Sequence, residues 1–530
     1  MAKIKLIRTP FVYPKKHLSS ITAVPDIGTA YISGALTEAG HTVSIIDCPG
    51  EDMHRYTIIP GSNLTINGLR ADEVVSRVDL DTEILGVQSM HSNRWVYDQL
   101  IIQCLLQSFP TMPLIMGGEH VSAAYEEILT QFPEITCCVI GEGEETVLEV
   151  VKAIENGESV KHIEGIAYSE SGQVIANKRR LRKKNLTDLA RPNWDGVPIQ
   201  KYLKNNCGIN SLSKKAITMV ATRGCPHTCT FCTVPNMWDS KWFARPAEDV
   251  VDEIKSYIAQ FGVNHIDFVD LTIIVSKKWM SDFAELLIKE NLNITWAIPI
   301  GTRTEKIDKE LLVKMKKSGL ERVLYSAESG SEETLQRIQK RLIVSNFEKV
   351  VYETAALDIK VKIAFIFGFP GQNKKEVWDS FKLINKIALL GAHDIVCLSF
   401  IPYPKTKLFN EVDVSYDYTD PSNTIRLNND IPRMKSWSEH LTDIELKLII
   451  VSFTLYFYLI QYLMRPTRII KTVWRLFIKR LPLTNFESII FNFIKKRASE
   501  PSHHPFISPM PKIPIKQKHE ENLKAIASSL

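Results

Sequence analysis

Three cysteines, Cys225, Cys229 and Cys232, lie close together in the chain with the spacing C-x3-C-x2-C. Thiolates are soft ligands, so three of them on one short loop can bind one soft metal centre. Three is one fewer than a closed zinc site or a fully ligated iron–sulfur cluster requires. A four-iron, four-sulfur cluster held by three thiolates keeps one iron open for a small ligand. The spacing therefore predicts an iron–sulfur cluster with an open coordination position.

A zinc knuckle, or three unrelated thiols, is the alternative interpretation. Zinc sites commonly combine C-x2-C pairs from two places in the chain. The other six cysteines form no second C-x2-C pair, and His227 is the only further side chain inside the loop that binds metals readily. The sequence favours the cluster over zinc.

Length and composition narrow the class of protein. The chain has 530 residues, of which 45% are apolar and 24% charged, enough for about three domains with packed cores. A net charge of only +5 argues against nucleic-acid binding as the main task. Nine cysteines in a chain of this length do not indicate a secreted disulfide framework, and a reducing cytoplasm suits thiolate ligands. The apolar start of the chain is too short for a signal peptide and indicates a first strand.

Residues 1–165 alternate between strand-like and helix-like segments. This alternation predicts an α/β domain with a doubly wound parallel sheet. Ligands bind such sheets at the carboxyl ends of the strands. Four glycines fall there and would let a bulky ligand approach the backbone: Gly117, Gly118, Gly141 and Gly143.

Residues 166–212 are polar and basic, which predicts a solvated linker between two domains. From residue 213 to residue 408 six strand-like runs again alternate with helices, which predicts a partial (β/α)6 barrel with its chemistry at the strand ends. The cysteine triplet follows the first of these strands. Other strand ends carry Asp270, Arg303, Glu328 and the Phe367-Gly368 pair.

The cysteine triplet, with the aromatic Phe231 before its third cysteine, resembles the signature of the radical S-adenosylmethionine (SAM) superfamily. The likeness covers about residues 215–408. It implies a 4Fe-4S cluster on Cys225, Cys229 and Cys232. The open iron of that cluster would bind the amino and carboxylate groups of SAM, and one electron would cleave SAM to a deoxyadenosyl radical.

The resemblance also suggests roles for the polar strand ends. It implies that Glu328 hydrogen-bonds the ribose or amino group of SAM, that Arg303 pairs with the SAM carboxylate, and that Phe367 and Gly368 meet the adenine. Asp270 is a further candidate cofactor-binding residue. A helix cap or an internal ion pair is the alternative for each of them.

The first domain resembles the cobalamin-binding domain found before many radical SAM domains. The likeness lies in the segment 26–36, in Gly117-Gly-Glu-His120 and in Gly141-Glu-Gly-Glu144. Members that use a histidine as lower cobalt ligand carry Asp-x-His-x-x-Gly after the first strand. Here Asp52-Met-His54 follows the second strand and lacks the glycine, so we expect no histidine on cobalt. Some members keep this domain without binding cobalamin, and that alternative stays open.

Residues 409–497 are predicted to be largely helical, and 498–530 to be a disordered tail. The run 448–464 has no charged residue and is 17 residues long, at the short limit for a membrane span. Nine Lys or Arg residues and one acid follow between 465 and 497, with aromatic residues interleaved. This pattern predicts contact with a membrane surface through 448–497, with a buried helical cap on the barrel as the alternative.

These features together predict a cytoplasmic enzyme, peripheral to the membrane, that uses a 4Fe-4S cluster, SAM and cobalamin. The expected reaction is methylation of an unactivated carbon of a small-molecule or lipid-like substrate, with electrons from a flavodoxin- or ferredoxin-type donor. Radical ring closure or rearrangement without methyl transfer is one alternative. A non-catalytic iron–sulfur protein at the membrane is the other.

Overall fold

The computed structural model describes residues 1–15, 23–59, 62–209, 214–412, 431–479 and 483–498. Within these ranges the chain forms two successive α/β domains followed by a helical C-terminal region. The α/β class and the predicted order of domains are confirmed. The tail predicted at 498–530 lies, apart from its first residue, outside the described residues.

The N-terminal domain is built on a seven-stranded sheet. Five strands run parallel, as predicted, because each is a short apolar run followed by a helix that crosses back over the sheet. In the order in which they lie across the sheet, the seven strands are Gln173–Ala176, Ile166–Glu170, Cys137–Val139, Leu114–Gly117, Ile84–Gln88, Lys3–Arg8 and Thr42–Asp47.

Helices cover both faces of this sheet. The first begins at Asp26, whose carboxylate accepts a hydrogen bond from the Thr29 backbone and caps the helix. The helices of the domain are Ile27–Glu38, Cys48–Glu51, Ala71–Ser76, Trp95–Ser108, Glu119–Gln131 and Glu144–Glu155.

Two features of this domain were not predicted. A small antiparallel sheet joins Phe11–Pro14, Leu64–Asn67 and Tyr56–Ile58. The hairpin Ile166–Glu170 and Gln173–Ala176 continues the main sheet into the segment predicted as a linker. Strands of three to five residues give too short a hydrophobic pattern to distinguish from a loop.

The remainder of the predicted linker connects the domains and includes the short helix Ile199–Lys204. Its basic residues are not simply solvated. Arg179 donates to the Met237 carbonyl at 2.7 Å, and Arg182 donates to the Trp238 and Lys241 carbonyls at 2.8 and 3.0 Å. The linker therefore holds the segment that follows the cysteine triplet.

The second domain is the predicted six-stranded open barrel, with all strands parallel and in sequence order. The strands are Ala216–Met219, His265–Phe268, Thr295–Thr302, Leu320–Glu328, Lys360–Phe367 and Asp394–Ser399. The helices between and after them are Val234–Trp238, Ala247–Phe261, Lys277–Glu290, Lys309–Lys317, Glu332–Arg337, Val344–Ala356, Lys374–Leu390 and Lys407–Glu411.

The C-terminal region packs on the outside of the barrel. Its long helix, Asp443–Met464, lies along the helix Lys374–Leu390 and the last barrel strand. Helices Thr467–Val473 and Asn485–Ala498 follow, with one π-helical turn, Trp474–Lys479, between them. Among the described residues, Asp443–Met464 is the one helix long and apolar enough to cross a membrane, and 28% of its most apolar window is buried against the protein.

Candidate cofactor site between the two domains

The cysteine triplet lies on the loop that leaves the first barrel strand. Neighbouring backbone fixes this loop: the Thr230 N–H donates to the Ile338 carbonyl at 3.1 Å, and the Thr230 carbonyl accepts from the Leu408 N–H at 3.0 Å. All three cysteines are half-buried, and none forms a disulfide. Burial raises the pKa of Cys225, and it raises the pKa of Cys232 to about 12. These two thiols stay protonated at neutral pH until a metal displaces the proton.

The loop fits a cluster. No three His, Cys, Asp or Glu side chains among the described residues come together as the ligands of one metal ion do. Three thiolates that each bind a different iron of a cluster need not converge on one point. The guanidinium of Arg303 lies 3.8 Å from Cys229 Sγ, so a positive charge stands beside the cysteine loop.

Asp270 fixes the beginning of the cysteine loop. Its buried carboxylate accepts hydrogen bonds from the Ala221 N–H at 3.2 Å, from the Thr222 N–H at 2.5 Å and from the Thr222 hydroxyl at 2.6 Å. Burial raises the pKa of Asp270 to about 6, although these hydrogen bonds favour the charged form. The side chain also lines the cavity described below, so it positions the loop and borders a ligand space at once.

Glu328 ends the fourth barrel strand in a strained conformation. Its φ is +63°, a left-handed value that costs energy for a residue other than glycine and is found at functional sites. The carboxylate accepts a 2.9 Å hydrogen bond from the ammonium of Lys340, and both side chains are buried. Lys340 was not predicted from the sequence, because nothing in its surroundings distinguishes it there from a surface lysine.

Arg303 shares this corner of the barrel. It donates to the backbone carbonyl of Lys340 and, through Nε at 3.0 Å, to the carboxylate of Glu305. The structure thus brings Arg303, Glu328 and Lys340 together beside Cys229. Two cations and two carboxylates, Glu305 included, thus lie next to the triplet, and such groups could pair with a ligand that has its own amino and carboxylate groups.

Phe367 and Gly368 lie at the end of the fifth strand. The ring of Phe367 is fully buried, with its centroid 5.6 Å from that of Phe453 in the C-terminal helix. The Gly368 N–H donates to the side chain of Gln372 at 2.7 Å. Because the Phe367 ring belongs to the core, a contact with adenine would have to come from the backbone here, and the predicted role stays a prediction.

A cavity of about 340 Å³ lies between the domains. The C-terminal strand edges of both domains line it, and so do all four predicted glycines: Gly117, Gly118, Gly141 and Gly143. A deeper part reaches between the N-terminal sheet and its helices and is lined by apolar side chains such as Leu6, Ile32 and Ile115. This shape offers an apolar slot below an open rim.

Two of these glycines allow close packing at the edge of the cavity. A Cβ on Gly118 would lie 2.3 Å from the Ser89 carbonyl oxygen, and its φ of +122° is a value that other residues rarely adopt. A Cβ on Gly143 would lie 3.1 Å from Ile32, a residue that also lines the slot. Glycines at the edge of the cavity let a bulky cofactor such as cobalamin approach the backbone, and polar side chains such as Gln88 and Arg223 in the lining could meet its amide groups.

A second cavity of about 440 Å³ shares Met90 and Glu119 with the first. His91 and His120 line it, together with Arg94 and Tyr403. Burial lowers the pKa of both histidines to about 3, so both are neutral at pH 7. His54 is exposed, lines neither cavity and lies 3.1 Å from the Asn205 side chain.

Arg223 joins the two domains next to the cysteine loop. Its guanidinium binds the carboxylate of Glu144 at 2.6 Å and that of Glu142 at 3.3 Å, and it lies 4.6 Å from the centre of the Tyr31 ring. Both Arg223 and Glu144 are buried. The ion pair therefore fixes the cysteine loop against the glycine-rich edge of the N-terminal sheet.

Comparison with protein families identifies both domains. Residues 219–384 match the radical SAM superfamily, and residues 19–151 match the B12 binding domain. The first match includes the cysteine triplet, and the second includes the four glycines at the rim of the cavity. Both family predictions made from the sequence are confirmed.

Individual proteins agree with this assignment. An uncharacterized methyltransferase of Pyrococcus horikoshii is 27% identical over 77% of this chain and 82% of its own length. The anaerobic magnesium-protoporphyrin IX monomethyl ester cyclase of Cereibacter sphaeroides is 24% identical over 77% of this chain and 64% of its own length, just under two thirds. The solved structure of the cobalamin-dependent SAM radical enzyme OxsB, with aqua-cobalamin and SAM bound, covers 100% of this chain and 78% of its own at a TM-score of 0.64. At 14% identity, that likeness supports the fold alone.

Proposed function

Because the chain belongs to the radical SAM superfamily, in the group with an N-terminal B12-binding domain, we propose that it methylates an unactivated carbon of a small-molecule or lipid-like substrate. The observation that carries the proposal is the cavity between the domains. It lies where the strand ends of both sheets face each other, and Asp270, Arg223 and Gly224 from the cysteine-loop side border it with the glycines of the N-terminal sheet. Two cofactors bound at these two edges would face one shared space.

The cofactors are held by different residues of the chain. Cys225, Cys229 and Cys232 would hold the cluster, while Arg303, Glu328 and Lys340 would hold SAM. When bound, the cluster supplies an electron for cleavage of SAM, and cobalamin supplies a transferable methyl group. The protein itself mainly binds, orients and excludes water: the Asp270 hydrogen bonds fix the loop, and the apolar cavity wall keeps the reacting groups dry.

Radical ring closure without methyl transfer is the second candidate. It is favoured by the 24% identity to the cyclase of Cereibacter sphaeroides. Both reactions would use the same residues around the cysteine loop, so these residues do not distinguish them. The products from SAM do, because methyl transfer leaves S-adenosylhomocysteine and ring closure does not.

Three further parts of the proposal concern partners and location. The electron would come from a flavodoxin- or ferredoxin-type donor. The protein would act in the cytoplasm, where thiolates stay reduced. It would also contact the membrane surface through residues 448–497.

The reaction can be tested with the enzyme reconstituted anaerobically with iron, sulfide and cobalamin. It is incubated with a chemical reductant, SAM that carries a deuterated methyl group, and an extract of small molecules and lipids from its native cells. We expect S-adenosylhomocysteine, 5′-deoxyadenosine and a product that carries the label. Formation of 5′-deoxyadenosine and an unlabelled product without S-adenosylhomocysteine would favour ring closure and contradict methyl transfer.

A further inference from the structure

The long C-terminal helix presents an apolar side to solvent. Its exposed large side chains recur every three or four residues, so they share one face: Leu448, Val451, Leu455, Leu459 and Leu463, with exposed fractions between 38% and 66%. A helix on the surface of a soluble domain normally places polar residues on this face. Further exposed apolar residues follow on the next helix and turn: Ile469, Ile470, Val473, Trp474, Phe477 and Ile478. We call this whole set the outer face.

The opposite side of the same helix is built into the barrel. Gln461 donates to the Ala388 carbonyl at 2.5 Å, Tyr456 donates to the side chain of Asn385 at 2.8 Å, and Phe457 is fully buried. Arg465 also donates to the Ala388 carbonyl, at 3.1 Å. The helix would have to give up these contacts to cross a bilayer, so its outer face is available for lipid only while the helix lies flat against the barrel.

The charged residues of the segment that carries the outer face have one sign. Between Glu445 and Glu487 the chain has seven Lys or Arg residues and no acid. Lys471 and Lys479 are exposed, and the ammonium of Lys479 lies 4.4 Å from the centre of the Trp474 ring. Lysine beside tryptophan is typical of the level at which lipid headgroups meet acyl chains.

From these observations we propose that the outer face binds one leaflet of an anionic lipid bilayer, with the helix in the plane of the membrane. Leucines enter the acyl region, while Lys471 and Lys479 contact the headgroups. The inference rests on the membrane contact proposed above and adds the lipid class and the orientation of the helix. It is independent of the proposed reaction, because none of the outer-face residues lines the two cavities between the domains. A substrate dissolved in the membrane would reach an enzyme held in this way without passing through water.

The test is co-sedimentation of the full reconstituted enzyme with vesicles of equal parts phosphatidylcholine and phosphatidylglycerol. We expect the enzyme to bind these vesicles and to bind neutral phosphatidylcholine vesicles more weakly. Leu455→Gln/Leu459→Gln should weaken binding by about tenfold or more. Lys471→Gln/Lys479→Gln should weaken it about 25-fold, because each cation near an anionic surface contributes about fivefold. Absence of wild-type binding would overturn the proposal.

The matched control is Leu80→Gln/Leu181→Gln, which changes two leucines that are 101% and 74% exposed elsewhere on the surface. It should bind vesicles as wild type does, and equal loss in this variant would contradict a specific face. All variants should retain the iron and corrinoid absorbance of the folded enzyme.

Two other results would also overturn the proposal. One is a wild-type dimer that Leu455→Gln/Leu459→Gln converts to a monomer while vesicle binding is unchanged, since a second copy of the chain would then cover the face. The other is a C-terminal tag protected from protease added outside the vesicles, which would indicate a spanning helix.

Discussion

Replacing Glu328 by glutamine tests the corner of the site where SAM is proposed to bind. The exchange keeps the size of the side chain and removes its charge. In the wild-type chain the Glu328 carboxylate lies 2.9 Å from the Lys340 ammonium, and Lys340 is only 4% exposed. The variant therefore leaves a buried ammonium without its carboxylate. Breaking one half of a buried ion pair costs about 3–5 kcal/mol. We therefore expect Glu328→Gln to lower the free energy of unfolding by this amount. SAM binding should weaken about 10- to 100-fold, the worth of one charge-assisted hydrogen bond.

The double variant Glu328→Gln/Lys340→Met separates stability from function. It removes both charges, so the free energy of unfolding should return to within about 1–2 kcal/mol of wild type. SAM binding should not return. The assays are anaerobic urea unfolding and calorimetric titration of SAM into the reconstituted enzyme.

Glu333→Gln is the matched control, because Glu333 pairs with Lys375 at 2.8 Å on the exposed surface of the next helix. It should leave both the unfolding midpoint and SAM binding as in wild type. A double variant that is stable and binds SAM with wild-type affinity would refute the assignment of Glu328 to the SAM site.

Three other changes have defined outcomes. Gly118→Ala should abolish retention of cobalamin on gel filtration, because the new Cβ meets the Ser89 carbonyl; Gly157→Ala, where a Cβ meets nothing within 4 Å, should retain it. Burial raises the pKa of Asp98 to about 7, so folding takes up a proton between about pH 4 and 7. The free energy of unfolding should fall by about 4 kcal/mol as the pH rises through this range, and Asp98→Asn should flatten that part of the urea-unfolding profile. Arg223→Met leaves Glu144 buried without its guanidinium and should cost about 3 kcal/mol or more; an unchanged unfolding midpoint would contradict the role of this pair in joining the domains.

The sequence predicted the parallel strands well, because each is a buried apolar run between a helix and a turn. All six strands predicted for the barrel are present, among them Lys360–Phe367, and helices such as Ala247–Phe261 and Lys374–Leu390 lie between them as predicted. The hairpin at residues 166–176 was read as linker, since edge strands exposed on one side carry polar residues that look like those of a loop. The cofactor predictions, a cluster, SAM and cobalamin, agree with the two families that the chain matches.

Side-chain direction and partners could not be predicted from the sequence. Phe367 stands at a strand end that faces the site, yet its ring points into the core against Phe453. Asp270 was expected to bind a cofactor, and the structure adds that it holds the backbone of Ala221 and Thr222. Lys340 lies 12 residues beyond Glu328, and only the folded chain brings their charges together.

The central claim is that one chain holds a cluster and cobalamin at facing edges of its two domains. Anaerobic reconstitution with iron, sulfide and hydroxocobalamin, followed by gel filtration and metal analysis, tests it directly. We predict about four irons and one cobalt per chain for wild type. The variant Cys225→Ala/Cys229→Ala/Cys232→Ala should lose the iron and keep the cobalt, because none of the three cysteines lines the cavity assigned to cobalamin. Zinc in place of iron, or iron without cobalt, would contradict the account.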